Sequence, residues 1–228
     1  KDDSEIAAIR QAVQVAQKAL EALLPHIKIG MTEAQVAAEL LLQLLRAGTQ
    51  PELSFSPIVS SGPNGANPHA TPSQRKLQAG DLLVIDWGAL SGGYVSDLTR
   101  TFAVGEVDEE YQKIHRIVQE ANAAGREAGK PGVRCSEVDF AARQVIEKTG
   151  YGNFFIHRTG HGIGMEGHEE PYIRSGNDQI LEPGMCYTVE PGIYLPGRNG
   201  VRIEDNVGII REGNEYLSDM IREIRVVG

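Results

Sequence analysis

Residues 82–103, LLVIDWGALSGGYVSDLTRTFA, constrain the fold of this chain more than any other stretch. Two apolar, β-prone runs flank Ser91-Gly92-Gly93, and this pattern predicts a β-hairpin. Each run carries one acid, Asp86 and Asp97. Folding the stretch about the point between Ser91 and Gly92 sets the two acids opposite each other on one face of an antiparallel ladder. Burying two like charges costs several kcal/mol unless something positive lies between them. The pair therefore reads either as a wet hairpin face or as part of a metal site.

The remaining sequence bears on that choice. A chain of 228 residues, 41% hydrophobic, can bury a proper core. It has no run of apolar residues long enough to span a membrane, and no membrane partner is expected. The net charge of −9 and the lack of any Lys/Arg-rich block argue against a nucleic-acid partner. Cys135 and Cys186 lie far apart, without a CxxC or Cys-His context. They are expected to be free, packed thiols in a reducing compartment, hence a cytoplasmic setting.

In chain order, residues 4–24 form an expected amphipathic helix capped by Ser4, with Ile6, Ile9, Val13, Ala16, Leu20 and Leu23 on one face. Thr32 and Gln35 make a capping box for a second helix stopped by Gly48. Its stretch from Val36 to Leu45 is apolar nearly all round, so Leu41, Leu42, Leu44 and Leu45 are assigned to the core. A short strand is expected at 55–60, then the loop GPNGANPHATPS. Asp108 caps a helix to about Ala128, and another runs from Ser136 to Thr149. Three β-prone segments follow, FFIHRTGHGIG, MCYTVEPGIY and GVRIEDNVGII. No linker divides the chain, so one domain is expected over 1–228. A crude repeat is visible: a helix pair, then an acid-bearing hairpin, at 4–103 and again at 108–210.

The second hairpin repeats the charge pattern of the first. Glu190 and Glu204 are symmetric about Gly197. Two hairpins, each with facing acids in apolar strands, favour the metal reading. Among the histidines, His157 and His161 are an even number of residues apart and would share a face of a strand. His161 is flanked by glycines that allow close approach. His69 lies in the Pro/Gly-rich loop, and His168 closes the segment HRTGHGIGMEGH. His26 and His115, among polar neighbours, read as a loop and a surface residue. Four carboxylates and one imidazole are too many ligands for one tetrahedral zinc, but suit two divalent ions, whose charge they balance. Such a metal pair supplies a nucleophile at neutral pH.

The motifs NPHAT, VIDWGALSGGYVSDLTRTF, HRTGHGIGMEGHEEP, TVEPGIY and GVRIEDN together resemble the catalytic domain of the pita-bread metallopeptidases. That family includes methionine aminopeptidases, Xaa-Pro aminopeptidases and Xaa-Pro dipeptidases (prolidases). The resemblance covers essentially all 228 residues, and its EPGIY and GVRIED wording looks like the Xaa-Pro branch. It implies an α+β pita-bread fold, with two pseudo-symmetric halves of helices packed on a curved, mostly antiparallel sheet. It implies metal ligands at Asp86, Asp97, His161, Glu190 and Glu204, with Asp97 and Glu204 bridging two ions. Manganese is the expected metal, with cobalt, zinc or iron as alternatives. The resemblance further implies His69, His168 and Glu190 as catalytic residues, and His69, His157, His168 and Arg202 as substrate-binding residues. The implied reaction is hydrolysis of the bond between an N-terminal residue and proline, on a peptide with proline in second position, by a homodimer. The resemblance sets the expectation that this chain holds the catalytic domain alone, without the family's usual N-terminal domain. Rival readings are a catalytically silent pita-bread module that binds peptides or proteins, and a hydrolase of a non-peptide amide.

Overall fold

A computed structural model describes residues 1–228. The first helix, α1 (Asp3–Leu23), is capped by Asp2, two residues ahead of the expected cap. The Asp2 carboxylate accepts the backbone N–H groups of Ser4 and Glu5, both at 2.9 Å, and the Glu5 side chain accepts the Asp2 N–H. A charged acceptor at a helix N-terminus also meets the helix dipole, which a serine hydroxyl does not; Ser4 donates its own hydroxyl to Asp2 instead. The expected apolar stripe is buried, each large side chain contributing about 1.5–3 kcal/mol. Helix α2 (Glu33–Ala47) has the Thr32/Gln35 capping box and ends at Gly48 in the left-handed conformation.

The all-round burial expected of α2 is not found. Val36, Leu40 and Leu44 are buried, but Leu42 and Leu45 are 41% and 51% exposed. A helix packed on one side buries one stripe only, and these two leucines fall off it.

The first half continues with β1 (Ile58–Ser61), β2 (Leu82–Trp87), β3 (Leu90–Ser91), β4 (Tyr94–Val95) and β5 (Leu98–Val104). The second half opens with α3 (Glu109–Ala128) and α4 (Cys135–Lys148). Its strands are β6 (Gly160–Gly162), β7 (Glu169–Ile173), β8 (Cys186–Val189), β9 (Gly192–Leu195), β10 (Asn199–Arg202), β11 (Asp205–Ile210) and β12 (Gly213–Tyr216), before β13 (Val226–Val227) closes the chain. The larger sheets run β1-β2-β5-β13, with only β13 parallel, and β12-β11-β8-β6-β7, all antiparallel, while β3-β4 and β9-β10 form two-stranded antiparallel ladders. Each half thus places a helix pair before its sheet, as the α+β repeat predicts. No helix is long and apolar enough to cross a membrane.

The hairpin registers differ in their outcome. In the first, Gly92 and Gly93 both have positive φ, 59° and 80°, so they form the two-residue turn. A turn at Ser91-Gly92 would force a serine into that conformation. Ser91 therefore pairs with Tyr94 and Asp86 with Thr99. Asp86 and Asp97 are diagonal neighbours, not opposite partners, and the two-residue offset keeps them on one face. In the second hairpin the expected symmetry holds. Arg202 pairs with Gly192 and Asp205 with Val189, which sets Glu190 across from Glu204 in the gap between two ladders of the same register.

His115 is a further correction. It is 1% exposed, not a surface residue. It lies on the α3 stripe shared with Val118, Asn122 and Gly125, which helical spacing turns inward. His157 sits in a bend before β6, so it shares a site with His161 but not a strand.

Candidate metal centre

All nine expected site residues line one cavity of about 700 Å³. Asp86 comes from β2, Asp97 from the residue before β5, His161 from β6, Glu190 from the residue after β8, and Glu204 from the break between β10 and β11. The two sheets meet here. Thr99 and Glu204 form an isolated antiparallel bridge, with Glu204 N–H donating to the Thr99 carbonyl at 3.0 Å. The acids of both hairpins are therefore brought face to face.

Three overlapping groups have ligand atoms within 4.8 Å of one another: Asp86, Asp97 and Glu204; His161, Glu190 and Glu204; and Asp97, His161 and His168. His161 Nε2 lies 3.4 Å from a Glu190 oxygen and 3.5 Å from an Asp97 oxygen. The His161 and His168 rings meet edge-on at 4.0 Å between centroids. One oxygen each of Asp86 and Asp97 is buried with no hydrogen-bond donor. Orphaned carboxylate oxygens aimed at a shared point are what a cation would satisfy, so this donor set fits divalent metal.

The electrostatics agree. Burial drives the carboxyls of Asp97 and Glu204 well above the usual range, and the neighbouring acids add to the effect. Burial likewise raises Asp86, and pushes Glu190 up to about 7. Burial pushes His161 down to about 3, which leaves a neutral imidazole, the form that ligates metal.

Arg202 is the one cation fixed among these acids. Its Nη2 donates to Asp86 at 2.7 Å, Nε to Thr99 Oγ1 at 3.1 Å, and Nη1 to Tyr194 Oη at 2.9 Å and the Pro68 carbonyl at 3.3 Å. Tyr194 Oη also meets His157 Nε2 at 2.8 Å. His157, Tyr194, Arg202 and Asp86 thus form one continuous chain of contacts. His69 stands at the exposed wall of the cavity, its backbone N–H donating to Asn67 Oδ1.

Sequence reasoning missed four members of this network. Thr99 donates to Glu204 Oε2 at 2.6 Å, and Thr188 Oγ1 accepts the His161 N–H at 3.1 Å. Asn206 brackets Asp97, accepting its N–H and donating to its carbonyl. Tyr194 is the fourth. A signal existed for three of them. Thr99, Thr188 and Asn206 each lie two residues from an expected ligand, on the same face of its strand. A polar residue at such a position, where the core would place an apolar one, marks a support for the ligand.

Comparison with known proteins accords with this geometry. The pattern of metallopeptidase family M24 matches residues 7–211. The chain is 42% identical over 228 residues to an Xaa-Pro dipeptidase of Lactobacillus delbrueckii subsp. lactis, covering 100% of this chain and 62% of that protein. Among solved structures, a prolidase from Thermococcus sibiricus superposes with a TM-score of 0.97 at 43% identity, over 100% of this chain and 62% of that one. Aminopeptidase P from Escherichia coli superposes with a TM-score of 0.88 at 29% identity, over 99% of this chain and 57% of that one. The chain thus spans about three fifths of the length of these relatives.

Proposed function

Because this chain belongs to metallopeptidase family M24, we propose that it hydrolyses the peptide bond between an N-terminal residue and a following proline. Its fold is the pita-bread fold of that family. The observation that carries the proposal is the convergence of Asp86, Asp97, His161, Glu190 and Glu204 in one cavity, with two carboxylate oxygens left without donors.

These five residues would hold two divalent ions. When bound, the ions supply Lewis acidity to the scissile carbonyl and lower the pKa of a water molecule. Oxygen-dominated ligation supports manganese, with cobalt, zinc and iron as alternatives. The other roles belong to the protein. Glu190, partly open to the cavity, takes up and passes on the proton of the attacking water. His168, at the edge of the His161 ring, and His69, on the facing loop, donate to the scissile carbonyl oxygen as charge develops there. Arg202 neutralises Asp86 and fixes its orientation, while His157 and Tyr194 hold Arg202 in place.

The reading includes a homodimer, supported by the outward-facing Leu42 and Leu45, and a cytoplasmic setting, supported by two free, buried thiols. Sedimentation of the purified chain checks the first.

The test is metal content per chain together with proline release from a panel of Xaa-Pro peptides. Two ions per chain and hydrolysis of the panel are expected. A chain that binds metal but is inert with manganese, cobalt and zinc alike would favour the binding module or a non-peptide substrate.

A further inference from the structure

The loop that brings His69 to the cavity is closed by one buried carboxylate. Glu33, the first residue of α2, is fully buried. Its Oε1 accepts the Ser61 N–H at 2.7 Å and the Ser61 hydroxyl at 2.8 Å. Its Oε2 accepts the Ser73 N–H at 3.1 Å and the Ser73 hydroxyl at 2.6 Å. Asn64 Nδ2 donates to both oxygens, at 3.2 and 3.0 Å. Donors from both ends of the loop and from within it thus converge on one side chain. The backbone of α2 completes the seam, with the N–H groups of Glu33 and Ala34 donating to the carbonyls of Arg75 and Ser73, both at 3.0 Å. The helix dipole further favours a negative charge at this position. The Ser61 hydroxyl also accepts from Arg75 Nη1 at 2.7 Å, which ties the same point to the Arg75–Asp81 ion pair.

Between these anchors the loop carries Pro68 and His69 to the cavity wall. It lies directly on β10, where a Cβ on Gly200 would stand 1.9 Å from the Gly65 carbonyl oxygen. The Pro68 carbonyl accepts from Arg202 at 3.3 Å. His69 itself is exposed. An exposed ring gains little from packing, so its place is set by the backbone beneath it.

We infer that Glu33 is a positioning residue for His69: by tying both ends of the loop to the start of α2, it holds the His69 ring where it can donate to the scissile carbonyl oxygen. This inference rests on the peptidase reading above and adds to it a residue that does not line the cavity. Loops act with precision when a rigid element fixes them, and a catalytic group misplaced by about 1 Å can cost about a hundredfold in rate. Glutamine at position 33 would keep the shape but turn one acceptor into a donor. On either side the new amide meets a backbone N–H, of Ser61 or of Ser73, that cannot turn away.

The experiment is a double-mutant cycle on the manganese-loaded chain. It reads kcat and KM for Ala-Pro, and manganese bound per chain, in Glu33→Gln, His69→Ala and the pair. His69→Ala is expected to lower kcat about tenfold or more. Glu33→Gln should lower kcat about tenfold, with KM changed less than about twofold and manganese content unchanged. In the His69→Ala background, Glu33→Gln should change kcat less than about threefold, because a group already removed cannot be misplaced. Ser73→Ala, which takes away one donor at one end of the loop, should give a smaller fall with the same dependence on His69, and it decides the matter should Glu33→Gln fail to fold. A merely structural role would lower kcat by the same factor in both backgrounds. That result, or an unchanged kcat in Glu33→Gln, overturns the inference and leaves the peptidase reading intact. A wild type that cleaves no Xaa-Pro peptide overturns the peptidase reading, and this inference with it.

Discussion

Thr99 and Glu204, 105 residues apart, are joined three times: by both backbone hydrogen bonds of an antiparallel bridge, and by a 2.6 Å contact from Thr99 Oγ1 to Glu204 Oε2. The same hydroxyl accepts from Arg202 Nε at 3.1 Å. One small side chain thus couples the seam between the two sheets to a proposed metal ligand and to the site's fixed cation.

Thr99→Val keeps the shape and removes that hydroxyl. It leaves a buried carboxylate and a guanidinium each short of a partner. The expected result is metal affinity about 10–100-fold weaker with the fold retained, read by calorimetric titration of manganese and by circular dichroism. Unchanged affinity would show that the contact is incidental.

Asp97→Asn should have opposite effects with and without metal. Burial and the charges of Glu204, Asp86 and Glu190 all disfavour an ionised Asp97. In chelator at pH 8 the variant should therefore melt above the wild type, because it removes the repulsion. With manganese it should melt below the wild type, because a proposed metal ligand has lost its charge. Thermal denaturation under the two conditions measures both, and a variant less stable in both would contradict the electrostatic account.

Tyr194→Phe breaks the chain from His157 to Asp86 by removing the oxygen that both His157 and Arg202 contact. Each loses a partner worth about 1–3 kcal/mol. A fall in kcat/KM of about ten- to a hundredfold is expected, and the melting temperature should drop by roughly 4 °C or more. Kinetics on an Xaa-Pro substrate check it.

Burial pushes His115 down to about 4 from an ordinary 6.5. The unfolded chain therefore takes up a proton at this site before the folded chain does, and stability drops as pH falls from about 6.5 to 4. The contribution is present above pH 6.5 and amounts to at most about 3 kcal/mol. His115→Gln should lose less stability than the wild type over that window in urea titrations at pH 7.5 and 5. Parallel pH dependence in both proteins would show that His115 does not titrate on unfolding.

The local structure was legible where the sequence carries its own signals. The Thr32/Gln35 capping box, the stop at Gly48 and the burial of Ile9, Val13 and Leu20 all follow from spacing within one helix. The site was legible for a related reason. An acid within an apolar strand is costly enough to need a purpose, so Asp86, Asp97, Glu190 and Glu204 stand out without any knowledge of their neighbours. Leu42, Leu45 and His115 were misread because which side of a helix is covered depends on what packs there, and that lies elsewhere in the chain.

By itself, then, the sequence determined the alternation of helix pairs and acid-bearing hairpins, and the residue types gathered for chemistry. The tertiary structure decided the relations between them. It joined the two sheets at Thr99 and Glu204, and it placed Tyr194 between His157 and Arg202. Periodicity is a property of neighbours along the chain, whereas these contacts span from 8 to 105 residues and arise only when separate elements meet.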